Sequence, residues 1–200
     1  MKMKRKNLMQ VIFFSGLILP VLILGAENRD TWQQPDKVLE VIGVKPGMVI
    51  GEPGAGRGYF TFKLARKVGP RGKIYANDIV EKDLNTIKKR AKREGFTNIV
   101  TIKGEIEDPL FPVDELDMVF MSYVLHDMSR PKAFLINLKP YLKPEAPLVV
   151  LEQAPEKTGK TGHFWKKEKI LKTVRAAGYR LERIETFLPK DNIYIFYLEQ

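Results

Sequence analysis

Glycines stand at 54, 56 and 58, shortly after the apolar residues 48–50 and directly before a segment, 59–68, whose apolar residues fall at helical spacing. Three positions without side chains between a strand and a helix make a tight turn and let the backbone come close to a ligand. The unpaired N–H groups at the start of the helix then face a negative group. In a doubly wound α/β sheet that arrangement belongs to the first strand, where nucleotides bind. Glu52, at the strand tip, sets a carboxylate where it can meet a cationic or amine-bearing ligand. Tyr59 occupies the place where the dinucleotide fingerprint G-x-G-x-x-G requires a third glycine, which disfavours a nicotinamide cofactor.

The rest of the chain alternates in the way such a sheet needs. Residues 29–47 read as one helix with Pro35 in its first turn and Val38, Leu39 and Ile42 on one face. Phe60, Leu64 and Val68 make the apolar face of the helix after the glycines, and residues 69–72 close it. A strand over 73–77 ends at Asp78, about twenty residues beyond the glycines, where an acid accepts hydrogen bonds from ribose hydroxyls. The same Asp78 is also placed to cap the helix predicted over 81–94, and both roles stay open. Strands follow over 98–103, 116–121 and 148–151, with a helix opened by Ser129 and Pro131. Residues 153–162 are polar and read as a loop. A helix over 164–177 and two strands, 179–187 and 193–198, joined by a hairpin-like 188–192, complete the chain. Alternating strands and helices predict an α/β fold with a mainly parallel sheet.

The run Glu52-Pro53-Gly54-Ala55-Gly56-Arg57-Gly58 is similar to the acid-x-G-x-G-x-G first motif of class I S-adenosylmethionine-dependent methyltransferases. Val124-Leu125-His126-Asp127 also resembles the V-L-H-H stretch of the small-molecule members, including the ubiquinone and menaquinone biosynthetic ones. The resemblance spans most of the chain after the first 30 residues. It implies a Rossmann-like, seven-stranded, mostly parallel sheet with helices on both faces and an antiparallel last strand. It further implies S-adenosyl-L-methionine as cofactor, with Glu52 organising the methionine end and Gly54, Gly56 and Gly58 wrapping it. Asp78 then takes the ribose and Ile79 lies against the adenine. Glu105 stands in for the family's usual aspartate at the adenine amino group, and the backbone N–H of Ile106 meets a ring nitrogen. Tyr123 would line the cleft between methyl donor and acceptor, although an aromatic residue there more often packs a core. The family's Lys-Pro-Gly-Gly turn reads Lys-Pro-Glu-Ala at 143–146.

Methyl transfer from a sulfonium is an in-line displacement that needs alignment and a deprotonated acceptor rather than a nucleophile triad or a metal. His126, just past a strand's C-terminal end, is the candidate general base, and His163 is placed to face the acceptor. No cysteine and only two histidines occur in the 200 residues, so disulfides and thiolate sites are excluded and a zinc site built on histidine is not expected.

Of the net charge of +10, the +6 carried after residue 26 is spread over helix faces such as Lys88, Lys89, Arg90, Lys92 and Arg93, a solvated surface rather than a nucleic-acid track. Lys2, Lys4, Arg5 and Lys6 precede an uncharged run, 7–26, which ends at Ala26 before polar residues. Residues 1–26 are therefore expected to be a signal peptide or an N-terminal membrane anchor, with residues 27–200 as the methyltransferase-like domain. This predicts an exported (periplasmic or secreted) or membrane-anchored protein, associated with the membrane through residues 7–26. Export is in tension with a cofactor made inside cells. The expected partner is a small-molecule or lipid-like acceptor, with no nucleic acid. An RNA or protein methyltransferase, and a non-catalytic nucleotide-binding domain, remain as alternatives.

Overall fold

The computed structural model describes residues 28–160 and 162–199, so the expected leader over 1–26 lies outside the described residues. Among the described residues no helix is long and apolar enough to cross a membrane. Strands β1 (Val49–Pro53), β2 (Lys73–Asp78), β3 (Ile99–Lys103), β4 (Met118–Ser122), β5 (Leu148–Gln153), β6 (Tyr179–Glu185) and β7 (Asp191–Leu198) form one sheet, in the order β3-β2-β1-β4-β5-β7-β6. The neighbours from β3 to β5 pair in parallel, and β7 runs antiparallel between β5 and β6. This is the Rossmann-like, seven-stranded, mostly parallel sheet that the resemblance implies.

The helices are α1 (Arg29–Gln33), α2 (Pro35–Val41), α3 (Thr61–Val68), α4 (Glu81–Glu94), α5 (Pro131–Leu138), α6 (Pro155–Thr158) and α7 (Lys167–Ala176). Strand periodicity divides the core between two helix layers. Met118, Phe120, Val149 and Leu151 meet Leu39 of α2 and Leu64 of α3 on one face. Val119, Met121, Leu148 and Val150 meet Leu135 of α5 and Val174 of α7 on the other. Successive residues of a strand point to opposite faces, and burial on both explains why β4 and β5 are apolar runs rather than alternating ones. Truncating Phe120, wholly buried at the centre, to alanine would cost about 3–5 kcal/mol.

Register at the end of the sheet opposite the site is held by polar groups. Asp117, just before β4, accepts a hydrogen bond from the Val49 N–H at 2.8 Å and an ion pair from Lys143 Nζ at 2.7 Å. The helix after β1 covers one face and the helix after β4 the other, so the adjacent β1 and β4 diverge at their C-terminal ends. A crevice opens at such a switch point.

Two segments differ from the sequence reading. The single helix expected over 29–47 is two, broken at Gln34, whose φ is 43°. Pro35 takes the first position of α2, and its ring bars the preceding residue from right-handed helix geometry. The polar stretch 153–162, expected as a loop, begins within β5 and contains α6. Lys157 holds it down by donating to the carbonyls of Thr186, Leu188 and Asp191, each at 2.8 Å. A cation that satisfies three backbone oxygens at the mouth of a hairpin leaves no hydrophobic signature in the sequence.

Candidate functional site

β1 delivers Glu52 and then the glycine turn. Glu52 is 3% exposed, and the Thr61 hydroxyl donates to its Oε2 at 2.6 Å. Burial pushes its carboxyl up to about 8, a rise reinforced by the Asp78 charge and opposed by the Thr61 bond, so it is neutral at pH 7 in the free protein. The turn itself is left-handed at Gly54 (φ 70°) and Gly56 (φ 53°). A side chain on Gly54 would run into Val124, whereas one on Gly56 would stand in open space.

Asp78 closes the turn from β2. Its Oδ2 accepts from the Gly56 N–H at 2.8 Å and its Oδ1 from the Val80 N–H at 2.9 Å, where the chain enters α4. The cap and the loop tie therefore coexist, and each oxygen retains a second acceptor position. Beyond it lies a cleft of about 210 Å³, lined by Gly54, Asp78, Ile79, Glu105 and Ile106 together with Val124, Asp127 and Phe134. Ile79 and Ile106 are each 56% exposed, whereas most of the large aliphatic residues among the described ones are buried. Two apolar side chains bared at the ends of neighbouring strands suit a flat aromatic ligand held between them. Asn77 fixes the second of these ends: its Nδ2 donates to the Pro109 carbonyl at 2.7 Å and ties down the loop that carries Glu105 and Ile106. Glu52, Gly56, Gly58 and Tyr123 stand outside the cleft lining.

The other side of the switch point is built differently. Tyr123, directly after β4, is left-handed with φ 56°, a strained geometry for an aromatic residue. Its hydroxyl donates to Asp191, and its ring lies 6.3 Å from that of Trp32 and 5.9 Å from that of Phe164. Burial and the bond to Asp191 raise the Tyr123 phenol far above its usual range, so it remains a donor. Asp191 is fully buried, also accepts from Gln33 Nε2 at 3.3 Å, and is pushed up to about 6 by burial. Arg29 of α1 lies 3.7 Å over the Tyr59 ring, whose hydroxyl bonds Asp30. Helix α1 is thus fastened over this side by side chains alone.

His126 follows Tyr123 in a single turn of 3-10 helix. Its Nδ1 stands 2.6 Å from Oε2 of Glu152 in β5, and Oε1 of the same carboxylate accepts the Leu125 N–H at 3.0 Å. Burial alone would lower the imidazole pKa, but the hydrogen bond and charge of Glu152, with the charge of Asp127, leave it raised. With Nδ1 donating to Glu152, the Nε2 lone pair is left for chemistry. His163 reaches the same spot from the segment after α6, its ring 4.8 Å from that of His126 and edge-on to it.

Of the residues singled out in the sequence, the cleft thus gathers Gly54, Asp78, Ile79, Glu105 and Ile106, with Gly56 tied to Asp78. His126 and His163 meet beside it, and Glu52 and Tyr123 support it from behind or from the side. Sequence reasoning missed Asn77, Glu152, Asp191, Gln33 and Arg29. The one available signal was Glu152, an acid inside an otherwise apolar strand, which must find a partner when buried.

A family model described as a methyltransferase domain matches residues 44–182. The ubiquinone/menaquinone biosynthesis C-methyltransferase UbiE of Shewanella sp. (strain W3-18-1) is 29% identical over 115 residues, 57% of this chain and 46% of that protein. The chain thus spans about half the length of the curated relatives it matches. A SAM-dependent methyltransferase from Aquifex aeolicus superposes with a TM-score of 0.80 at 27% identity, over 86% of this chain and 94% of its own. The [4+2]-cyclase SpnF superposes at 0.71 with 15% identity, over 84% and 81%, which is likeness of fold alone.

Proposed function

This chain belongs to the methyltransferase-domain family, and we propose that it transfers a methyl group from S-adenosylmethionine to a small-molecule or lipid-like acceptor. The observation that carries the reading is the crevice itself. The glycine turn, Asp78 and the bared Ile79 and Ile106 lie to one side, and His126 with its Glu152 partner lies to the other. When bound, S-adenosylmethionine would supply a methyl group already activated by its sulfonium charge. Asp78 would receive the ribose hydroxyls on its spare acceptor positions, and Ile79 and Ile106 would flank the adenine. Glu105, exposed at the cleft rim, would meet the adenine amino group. Glu52, neutral in the free protein, would regain its negative charge next to a cationic ligand, because an opposite charge favours the ionised form.

On the acceptor side His126 and His163 would activate a protic acceptor. The aromatic enclosure made by Trp32, Tyr123 and Phe164 favours a small or lipid-like molecule over a folded RNA or protein surface. The protein's part is alignment of the two reactants and preparation of the acceptor.

Calorimetry with S-adenosylmethionine and S-adenosylhomocysteine tests the donor assignment. Gly56→Val, which sets a side chain into the open space at the turn, should abolish binding while the thermal melt still shows a folded protein. Undiminished affinity in that variant would remove the glycine turn from the binding site.

A further inference from the structure

We propose that His126, Asp127 and His163 form a binding site for a zinc-like divalent cation at the acceptor end of the cleft. They bring together both histidines of the chain from separate segments, with a carboxylate between them. His126 Nε2 stands 3.6 Å from Asp127 Oδ2, and His163 Nε2 stands 3.8 Å from Asp127 Oδ1. One donor atom from each of the three lies within 4.8 Å of the others. Those separations are too long for hydrogen bonds. They are close to the roughly 3.3–3.5 Å between ligand atoms that each sit about 2.0–2.2 Å from a tetrahedral zinc ion. A small inward turn of Asp127 and His163, whose side chains are 61% and 64% exposed, closes the difference.

The surroundings fit the same reading. The His126 side chain is 3% exposed, and its Nδ1 is held by Glu152, itself 1% exposed. That is the outer carboxylate that orients a metal-binding imidazole and fixes its tautomer. The Phe164 ring packs 4.8 Å from that of His126 and 4.7 Å from that of His163, which limits how far the imidazoles can separate. Two imidazoles and one carboxylate select zinc, cobalt or ferrous iron over magnesium and calcium, which prefer all-oxygen sets. Three protein ligands leave a fourth position open, as in catalytic rather than structural zinc sites. Asp127 also lines the cleft, so a cation held there would adjoin it.

The site's existence is independent of the donor assignment, whereas its use rests on it. An acceptor bearing an ionisable hydroxyl, enol or thiol would bind the cation through that atom and lose its proton to water. As the new bond from that atom to the methyl carbon forms, the carbon–sulfur bond of the donor breaks, and its electron pair stays on sulfur as a neutral thioether.

The test uses the untagged full chain, stripped with a chelator and titrated separately with Zn2+ and Co2+. One equivalent should bind, and Co2+ should give the intense visible absorption of a four-coordinate site. Asp127→Asn and His163→Ala, both at exposed positions, should each weaken the cation at least tenfold. S-adenosylmethionine affinity is measured on the same samples. Affinities unchanged in both variants, or a Co2+ spectrum like that of the ion in water, would overturn the site even if S-adenosylmethionine binds. Saturable cation binding lost in the variants would uphold it even if S-adenosylmethionine does not bind, and only the methyl-transfer reading would then fall.

Discussion

The two sides of the crevice at β1 and β4 are assembled by opposite means. On the donor side the working parts are backbone: left-handed glycines, N–H groups tied to Asp78, and strand ends that bare Ile79 and Ile106. On the acceptor side they are side chains from five separate segments, joined through Asp191, Glu152 and a run of aromatic rings. Each side also buries a carboxyl whose pKa is raised by burial, Glu52 up to about 8 and Asp191 up to about 6. A backbone cradle accepts one ligand shape and tolerates changes elsewhere. A side-chain constellation can be retuned residue by residue.

If the halves are independent, damage should stay on its own side. The largest effect is expected from His126→Gln, which should lower kcat about 10²–10³-fold and leave the S-adenosylmethionine dissociation constant within about twofold. A parallel loss of cofactor affinity would break the division.

Next is Glu52→Gln, measured by thermal melts across pH. In the folded protein the Glu52 pKa is raised from its usual 4.5 to about 8, so the folded state holds a proton that the unfolded chain gives up. The stability this contributes is fully present below about pH 4.5 and is lost as pH rises through about 8. The variant should gain on the wild type across that range, by a few kcal/mol at its top, because glutamine still accepts the Thr61 bond and never ionises. A constant difference at all pH values would show that Glu52 is not held neutral.

Asp78→Ala follows, expected to weaken S-adenosylmethionine by about 1–3 kcal/mol, or roughly 5–150-fold, with turnover at saturating cofactor little changed. An unaltered dissociation constant would leave Asp78 as a cap alone. The smallest effect is expected of Tyr123→Phe, about 1 kcal/mol of stability from the lost bond to Asp191, with cofactor binding untouched.

The same contrast explains what could be read in advance. The donor side was legible because its parts are contiguous or follow strand ends at regular intervals. Glu52, the glycines, Asp78 and Glu105 each sit at a strand tip that the hydrophobic pattern locates. The sheet was legible for the same reason: β4 and β5 each open with four consecutive apolar residues. The acceptor side was not, because nothing local links Gln33 to Asp191 or His126 to Glu152. Asp191 looks like a turn residue of the last hairpin until β7 begins on it. The break at Gln34 was announced by Pro35, but the left-handed turn that followed depends on α1 finding Tyr59 and Tyr123 to rest on.

Helix α1 meets α2 at Gln34 and is kept down by Gln33 on Asp191, Arg29 and Asp30 on Tyr59, Lys63 on Asp30 and Trp32 on Tyr123. Contacts of this kind contribute on the order of 1 kcal/mol each. Together they amount to several kcal/mol, and breaking them would uncover Asp191 and the Tyr123 ring while every strand of the sheet stays paired.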